Sequence, residues 1–158
     1  MWDAARYLRF GDERSRPFFD LTARITADAP EYVVDLGCGP GNLTAALAAR
    51  WPRATVAGVD SSPEMIEAAV AAGYPGVTFT RGDVREWAPG RAPDVITCNA
   101  VLQWVPGHDD LLRRWAGQLN AGGWLAFQLP GNFGSPSHVI VRELAAAPRW
   151  RGLLDGAR

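Results

Sequence analysis

Short apolar runs separated by turn residues dominate the chain, and their lengths alternate between those typical of strands and of helices. Residues 32–36, 55–59, 77–80, 95–98 and 124–129 read as strands. They are continuous rather than alternating, as expected of strands covered on both faces. Between them fall helical periods. Phe18, Leu21 and Ile25 form an apolar stripe that predicts a helix over residues 14–27, with Pro17 in its first turn. Leu43 and Leu47 mark a second helix over 42–51, and Ser62-Pro63-Glu64 is a helix start continued by 65–72. Residues 110–119 form another helix, and 136–147 follow with Val139, Ile140, Glu143 and Leu144 in register. Alternating strands and helices predict parallel strands, because each crossover must return along one face of the sheet. The expected fold class is therefore α/β, a doubly wound sheet of about five parallel strands with flanking helices. Residues 148–158 carry too little patterned hydrophobicity for another strand.

Composition narrows the function. The chain has 158 residues and is 47% apolar, enough for one domain with a sizeable core. Its 16 basic residues, all arginine, balance 17 acids, so no broad positive field attracts nucleic acid. No apolar run approaches the ~20 residues that cross a bilayer. The first residues carry Asp12, Glu13 and scattered arginines instead of a signal-like segment, so a cytoplasmic location with no membrane partner is expected. Cys38 and Cys98 lack metal-ligand spacing, and with only His108 and His138 beside them no metal site is expected.

Candidate chemistry concentrates after the first strand, where Asp35-Leu36-Gly37-Cys38-Gly39-Pro40-Gly41-Asn42 turns into a helix. Gly37, Gly39 and Gly41 suit a sharp bend whose backbone approaches a ligand. The spacing departs from the dinucleotide pattern G-x-G-x-x-G, which would place its last glycine at residue 42. Asp60 ends the second strand, where its two oxygens can accept from both hydroxyls of a ribose. Asp35 lies inside an apolar strand end, where its charge requires either a ligand ammonium or loop amides. Asp83, after the third strand, can accept from an adenine amino group or cap a turn, and Val84 offers an amide and an apolar surface. Asn99 and Ala100 end the fourth strand at the crevice where strand order is expected to reverse.

The glycine run and Gly58-Val59-Asp60-Ser61-Ser62-Pro63-Glu64-Met65 together resemble the class I S-adenosylmethionine-dependent methyltransferases, the first as their glycine-rich motif and the second as their ribose-binding strand end. Three further segments resemble the subfamily that methylates trans-aconitate. They are Tyr7-Leu8-Arg9-Phe10 with Glu13-Arg14-Ser15-Arg16-Pro17, then Leu102-Gln103-Trp104-Val105-Pro106, and Gln128-Leu129-Pro130-Gly131-Asn132-Phe133. The resemblance implies a Rossmann-like methyltransferase sheet and S-adenosylmethionine as cofactor, with S-adenosylhomocysteine as product. It assigns Asp35, Gly37, Gly39, Gly41, Asp60, Ser61, Asp83, Val84 and Asn99 to that cofactor. Arg16 would meet the cofactor carboxylate or an acidic substrate.

The same resemblance implies transfer of a methyl group to a carboxylate of trans-aconitate or a similar small polycarboxylic acid. That oxygen is already ionised near pH 7, so no general base is expected. Gln103, Trp104 and Asn132 join Arg16 as substrate-binding candidates, with Trp104 equally readable as a core aromatic. Three segments are expected: a helical part of the active-site cover over 1–30, a cofactor-binding α/β domain over 31–147, and a tail over 148–158. The usual last two strands of the family have no candidates, so the chain reads as shortened. Its fifth strand is then expected to have a free edge that a second copy or a partner chain covers.

Overall fold

The computed structural model describes residues 11–154. Its strands are β1 (Tyr32–Leu36), β2 (Thr55–Asp60), β3 (Val77–Arg81), β4 (Val95–Asn99) and β5 (Trp124–Gln128). The helices are α1 (Gly11–Thr22), α2 (Asn42–Arg50), α3 (Pro63–Ala72), α4 (His108–Gln118), α5 (Pro136–Ala146) and α6 (Pro148–Leu154), with a short 3₁₀ turn at Leu102–Trp104. All four strand pairings are parallel, in the order β3-β2-β1-β4-β5. The chain thus builds outward from β1 to β3, then crosses back to the other side of β1. Where the winding reverses, the carboxyl ends of β1 and β4 separate and leave a crevice.

Alternation along β1 supplies the two cores. Val33 points to one face and packs with Phe18, Leu47, Trp51 and Val56. Val34 and Leu36 point to the other, with Ile96, Leu111 and Trp115. All three β1 side chains are fully buried, consistent with a strand covered on both sides. Each such burial stabilises the fold by about 1.5–3 kcal/mol.

Element ends moved by a residue or two from expectation except at α1, which starts and stops earlier. Pro17 lies in the helix interior rather than the first turn. The helix ends at Thr22 in a tight turn, where the amides of Arg24 and Ile25 donate to the carbonyls of Leu21 and Thr22, and the guanidinium of Arg50, from α2, donates to the carbonyls of Thr22 and Ile25. The Thr22 carbonyl thus accepts from both Arg50 and the Ile25 amide, the latter at 3.0 Å. Ile25 remains buried beyond the helix end. The tail expected over 148–158 contains α6, which Pro148 opens.

β5 is the last strand of the sheet, with Phe127 exposed on it. α5 has no buried residue, and Ile140, Val141 and Leu144 face outward. No helix among the described residues is long and apolar enough to cross a membrane. Residues 7–10, quoted for the subfamily likeness, lie outside the described residues.

Candidate cofactor site

The loop leaving β1 is held against β2: the amides of Gly37 and Cys38 both donate to the carbonyl of Val59, at 2.7 and 3.0 Å. Gly37, Gly39 and Gly41 all have left-handed backbones, with φ of 78°, 55° and 82°. Their reasons differ. A Cβ on Gly37 would collide with Val101, and one on Gly41 would stand 2.5 Å from the Phe79 ring. A Cβ on Gly39 would meet nothing within 4 Å, so this glycine leaves open space at the crevice.

Asp60 ties the loop to β2. Its Oδ2 accepts from the Gly39 amide at 2.9 Å, and its Oδ1 from the Ser62 amide at 2.9 Å. Each oxygen keeps a further lone pair. Ser62 then caps α3 by accepting from the Met65 amide at 3.3 Å. Asp35, one strand away and 3% exposed, accepts from the hydroxyls of Thr44 at 2.6 Å and Thr97 at 2.8 Å. Burial raises its pKa against the lowering effect of those two hydroxyls. Among the described residues, no arginine or histidine pairs with Asp35 or Asp60. The two carboxyls beside the loop are thus bonded only to hydroxyls and backbone amides among the described residues.

The crevice encloses about 550 Å³, and Gly37, Gly39, Asp60, Ser61, Asp83, Val84 and Asn99 all line it. Asp35 and Gly41 stand behind the loop. Asp35 faces a much smaller void that shares Gly37 and Asn99 with the crevice. A second hollow of about 620 Å³ lies among Asp28, Glu31, Arg50 and Arg91 at the amino edge of the sheet. It is larger but far from the strand ends where α/β sheets bind ligands.

Asp83 is less free than its sequence position suggests. Arg85 donates to both of its oxygens from the side chain and to Oδ1 from the backbone, which holds the carboxyl below its usual range. Arg85 itself lines the crevice and escaped the sequence reading, where only its alternation with Asp83 could have signalled it. At the opposite wall Ala100 adopts φ 56°, a conformation that side chains disfavour. Its amide donates to the Gln128 carbonyl at 2.9 Å, and its carbonyl accepts from Gln103 Nε2 at 2.6 Å. Gln128 also donates to Asn99 Oδ1 at 2.7 Å. The other amide atom of Gln103, Oε1, is buried and unpartnered.

Trp104 stands on the crevice wall, 65% exposed rather than in a core. Gln103, Arg16 and Asn132 do not line the crevice. Arg16 is 84% exposed and faces Asp20 on its own helix at 3.9 Å, and Asn132 sits exposed in the loop before α5. Both cysteines are free thiols, pushed up in pKa by burial. No group of three metal-ligating side chains occurs among the described residues.

A parallel sheet reversing at β1, a glycine bend and an acid at the end of β2 make a Rossmann-like fold, and the likeness to known proteins makes it that of an S-adenosylmethionine-dependent methyltransferase. The chain belongs to the methyltransferase-domain family, whose model matches residues 8–156. Among curated proteins it is 56% identical over 156 residues to a trans-aconitate 2-methyltransferase of Rhodococcus jostii, covering 98% of this chain and 60% of that protein. A protein of the same name from Mycobacterium sp. strain KMS is 58% identical over 154 residues, with 98% and 59% covered. The chain thus spans about three-fifths of the length of these relatives. An S-adenosylmethionine-dependent methyltransferase from Mesorhizobium loti superposes with TM-score 0.62 at 29% identity, covering 72% of this chain and 52% of that one. An S-adenosylmethionine-bound amino pentose methyltransferase from Micromonospora echinaspora shares the fold with TM-score 0.62 at 24% identity, covering 82% and 57%.

Proposed function

We propose that the crevice binds S-adenosylmethionine and that the protein methylates a carboxylate of trans-aconitate or a similar small polycarboxylic acid. One observation carries the cofactor reading: Asp35 and Asp60 flank the glycine loop without a basic partner among the described residues. Two unpaired acids suit a ligand that brings its own positive charges, and S-adenosylmethionine carries an ammonium and a sulfonium. A pyrophosphate-containing cofactor would add negative charge at the same place. The open side of Gly39 and the free lone pairs of Asp60 fit a ribose, and Val84 offers an apolar surface to a base. Asp83, Arg85 and the backbone of Asn99 complete the proposed contacts.

When bound, the cofactor supplies a methyl group on positively charged sulfur. The acceptor carboxylate is ionised near neutral pH, so its oxygen attacks without losing a proton, and ester and S-adenosylhomocysteine form with charge balanced. The chain's task is then alignment and exclusion of water. Trp104 gives the crevice an apolar wall, and Gln103 holds the strained Ala100 carbonyl at its mouth. Arg16 and Asn132 remain proposed substrate contacts.

The proposed division has residues 1–30 contributing cover, 31–147 binding cofactor and 148–158 continuing outward. Phe18, which lines the small void beside Asp35, supports a role for the first segment. The free edge of β5 and the outward apolar face of α5 support further polypeptide there, either a second copy or another chain. A second reading is a cofactor-binding unit without turnover, since every proposed cofactor contact lies on or just after β1 to β4.

Incubation with methyl-labelled S-adenosylmethionine and trans-aconitate separates the two. A labelled monomethyl ester, with one S-adenosylhomocysteine formed per ester, supports the enzyme. Binding of S-adenosylhomocysteine without ester from any small di- or tricarboxylate supports the binding unit.

A further inference from the structure

Asp35 is held by an arrangement that its sequence neighbours do not reveal. Thr97 lies directly across from it in the β1–β4 register, and its hydroxyl donates to Oδ1 at 2.8 Å. Thr44 comes from the first turn of α2, and its hydroxyl donates to Oδ2 at 2.6 Å. Both threonines are fully buried. Each oxygen of the carboxylate is thus fixed from a different element, which sets the plane of the group as well as its position. The void it faces, about 20 Å³, has room for one water-sized group. It opens beside Gly37 and Asn99, which the crevice also uses.

Burying hydroxyls costs stability unless they are bonded, and valine would fill either site with the same shape. Core packing alone therefore does not call for two threonines. Two hydroxyl donors compensate a buried carboxylate only in part, leaving lone pairs on both oxygens. The titratable groups around Asp35 are Asp60 from β2, Cys38 from the loop and Cys98 from β4, none of them cationic. Among the described residues, none of the groups around Asp35 supplies a positive charge.

We infer that Thr44 and Thr97 are positioning residues for cofactor capture, fixing both oxygens of Asp35 so that its remaining lone pairs meet the ligand's ammonium group. The inference rests on the cofactor reading above. It adds that recognition of the amino-acid end of the ligand depends on two side chains that do not line the crevice. It also predicts which part of the ligand will notice their loss. The adenosine end is held by other residues and should be indifferent to them.

The test is calorimetric titration of the whole chain and its Thr44→Val and Thr97→Val variants with S-adenosylhomocysteine and with adenosine, which has no ammonium group. Each valine variant should bind S-adenosylhomocysteine about tenfold more weakly at pH 7, while adenosine changes by less than about twofold. Without its donors Asp35 needs a higher pH to ionise, so the fall in S-adenosylhomocysteine affinity on acidification should begin about one pH unit higher. Thr44→Ser and Thr97→Ser keep the hydroxyl and should restore both properties; they also serve if a valine variant does not fold. Equal weakening of both ligands, or no weakening of either, overturns the inference. Failure of the unaltered chain to bind S-adenosylhomocysteine at all overturns the cofactor reading instead.

Discussion

The backbone amide of Gly39 donates to the carboxylate of Asp60 at 2.9 Å, joining the glycine bend after β1 to the end of β2. The acid is therefore part of the loop's structure before any ligand arrives. Asp60→Ala should release the amides of Gly39 and Ser62, lower stability by about 1–3 kcal/mol and weaken S-adenosylhomocysteine binding by at least tenfold. Thermal melts and calorimetry read the two effects. An unchanged melting temperature would contradict the bracing role.

The three loop glycines should respond differently to a methyl group. Gly37→Ala drives a Cβ into Val101, and Gly41→Ala drives one into Phe79, so both should destabilise the fold by more than the backbone cost alone. Gly39→Ala meets no neighbour and should lose only about 1–2 kcal/mol to its left-handed conformation. Its new methyl projects where ligand is expected, so it should bind cofactor poorly while folding well. Urea denaturation beside ligand titration distinguishes this pattern from a uniform loss.

Asp35 makes the fold depend on pH in the direction opposite to most carboxylates. Because burial raises its pKa, the folded chain holds that proton more tightly than the unfolded chain. Stability contributed by this group is full in acid and declines as pH rises from the ordinary carboxylate range through the raised value. Asp35→Asn should remove the decline, so the variant gains on the unaltered protein progressively above about pH 4. A variant that loses ground as pH rises would contradict the assignment. Asp94 should behave in the opposite sense. Burial works to raise its pKa, but bonds from Asn120 and from the amides of Tyr32 and Glu31 outweigh it, so its stabilising contribution is lost in acid.

α5 contributes little to the folded core. Ile140→Glu with Leu144→Glu should change unfolding free energy by less than about 0.5 kcal/mol per site, since both side chains are exposed. The pair should also reduce self-association, measured by light scattering, if the outward apolar face is what drives it. Loss of more than about 2 kcal/mol would mean that the face packs against the sheet.

The sheet was legible because burial on both faces leaves a plain mark: Val33 and Val34 are adjacent apolar residues on opposite faces of β1, and both are buried. The crevice was legible for a related reason. Parallel strands with crossovers bring their ends to one rim, so Gly39, Asp60, Val84 and Asn99 could be grouped from their places at strand ends. Contacts between distant elements were not. The carbonyls at the end of α1 are bonded by Arg50, far along the chain, and no local period contains that information. Thr44 and Thr97 look like ordinary helix and strand residues; the β1–β4 register makes Thr97 a partner of Asp35, and the packing of α2 against the sheet makes Thr44 one. The pairing of Asp83 with Arg85 and the exposure of Trp104 on the crevice wall likewise depend on side-chain placement that no local pattern encodes.

A crystal structure of the chain grown with S-adenosylhomocysteine tests the central claim most directly. One molecule should occupy the crevice, with its ribose hydroxyls on Asp60, its base beside Val84 and its ammonium toward Asp35. An empty crevice at saturating ligand, or a molecule seated in the amino-edge hollow near Arg50 and Arg91, would contradict the account.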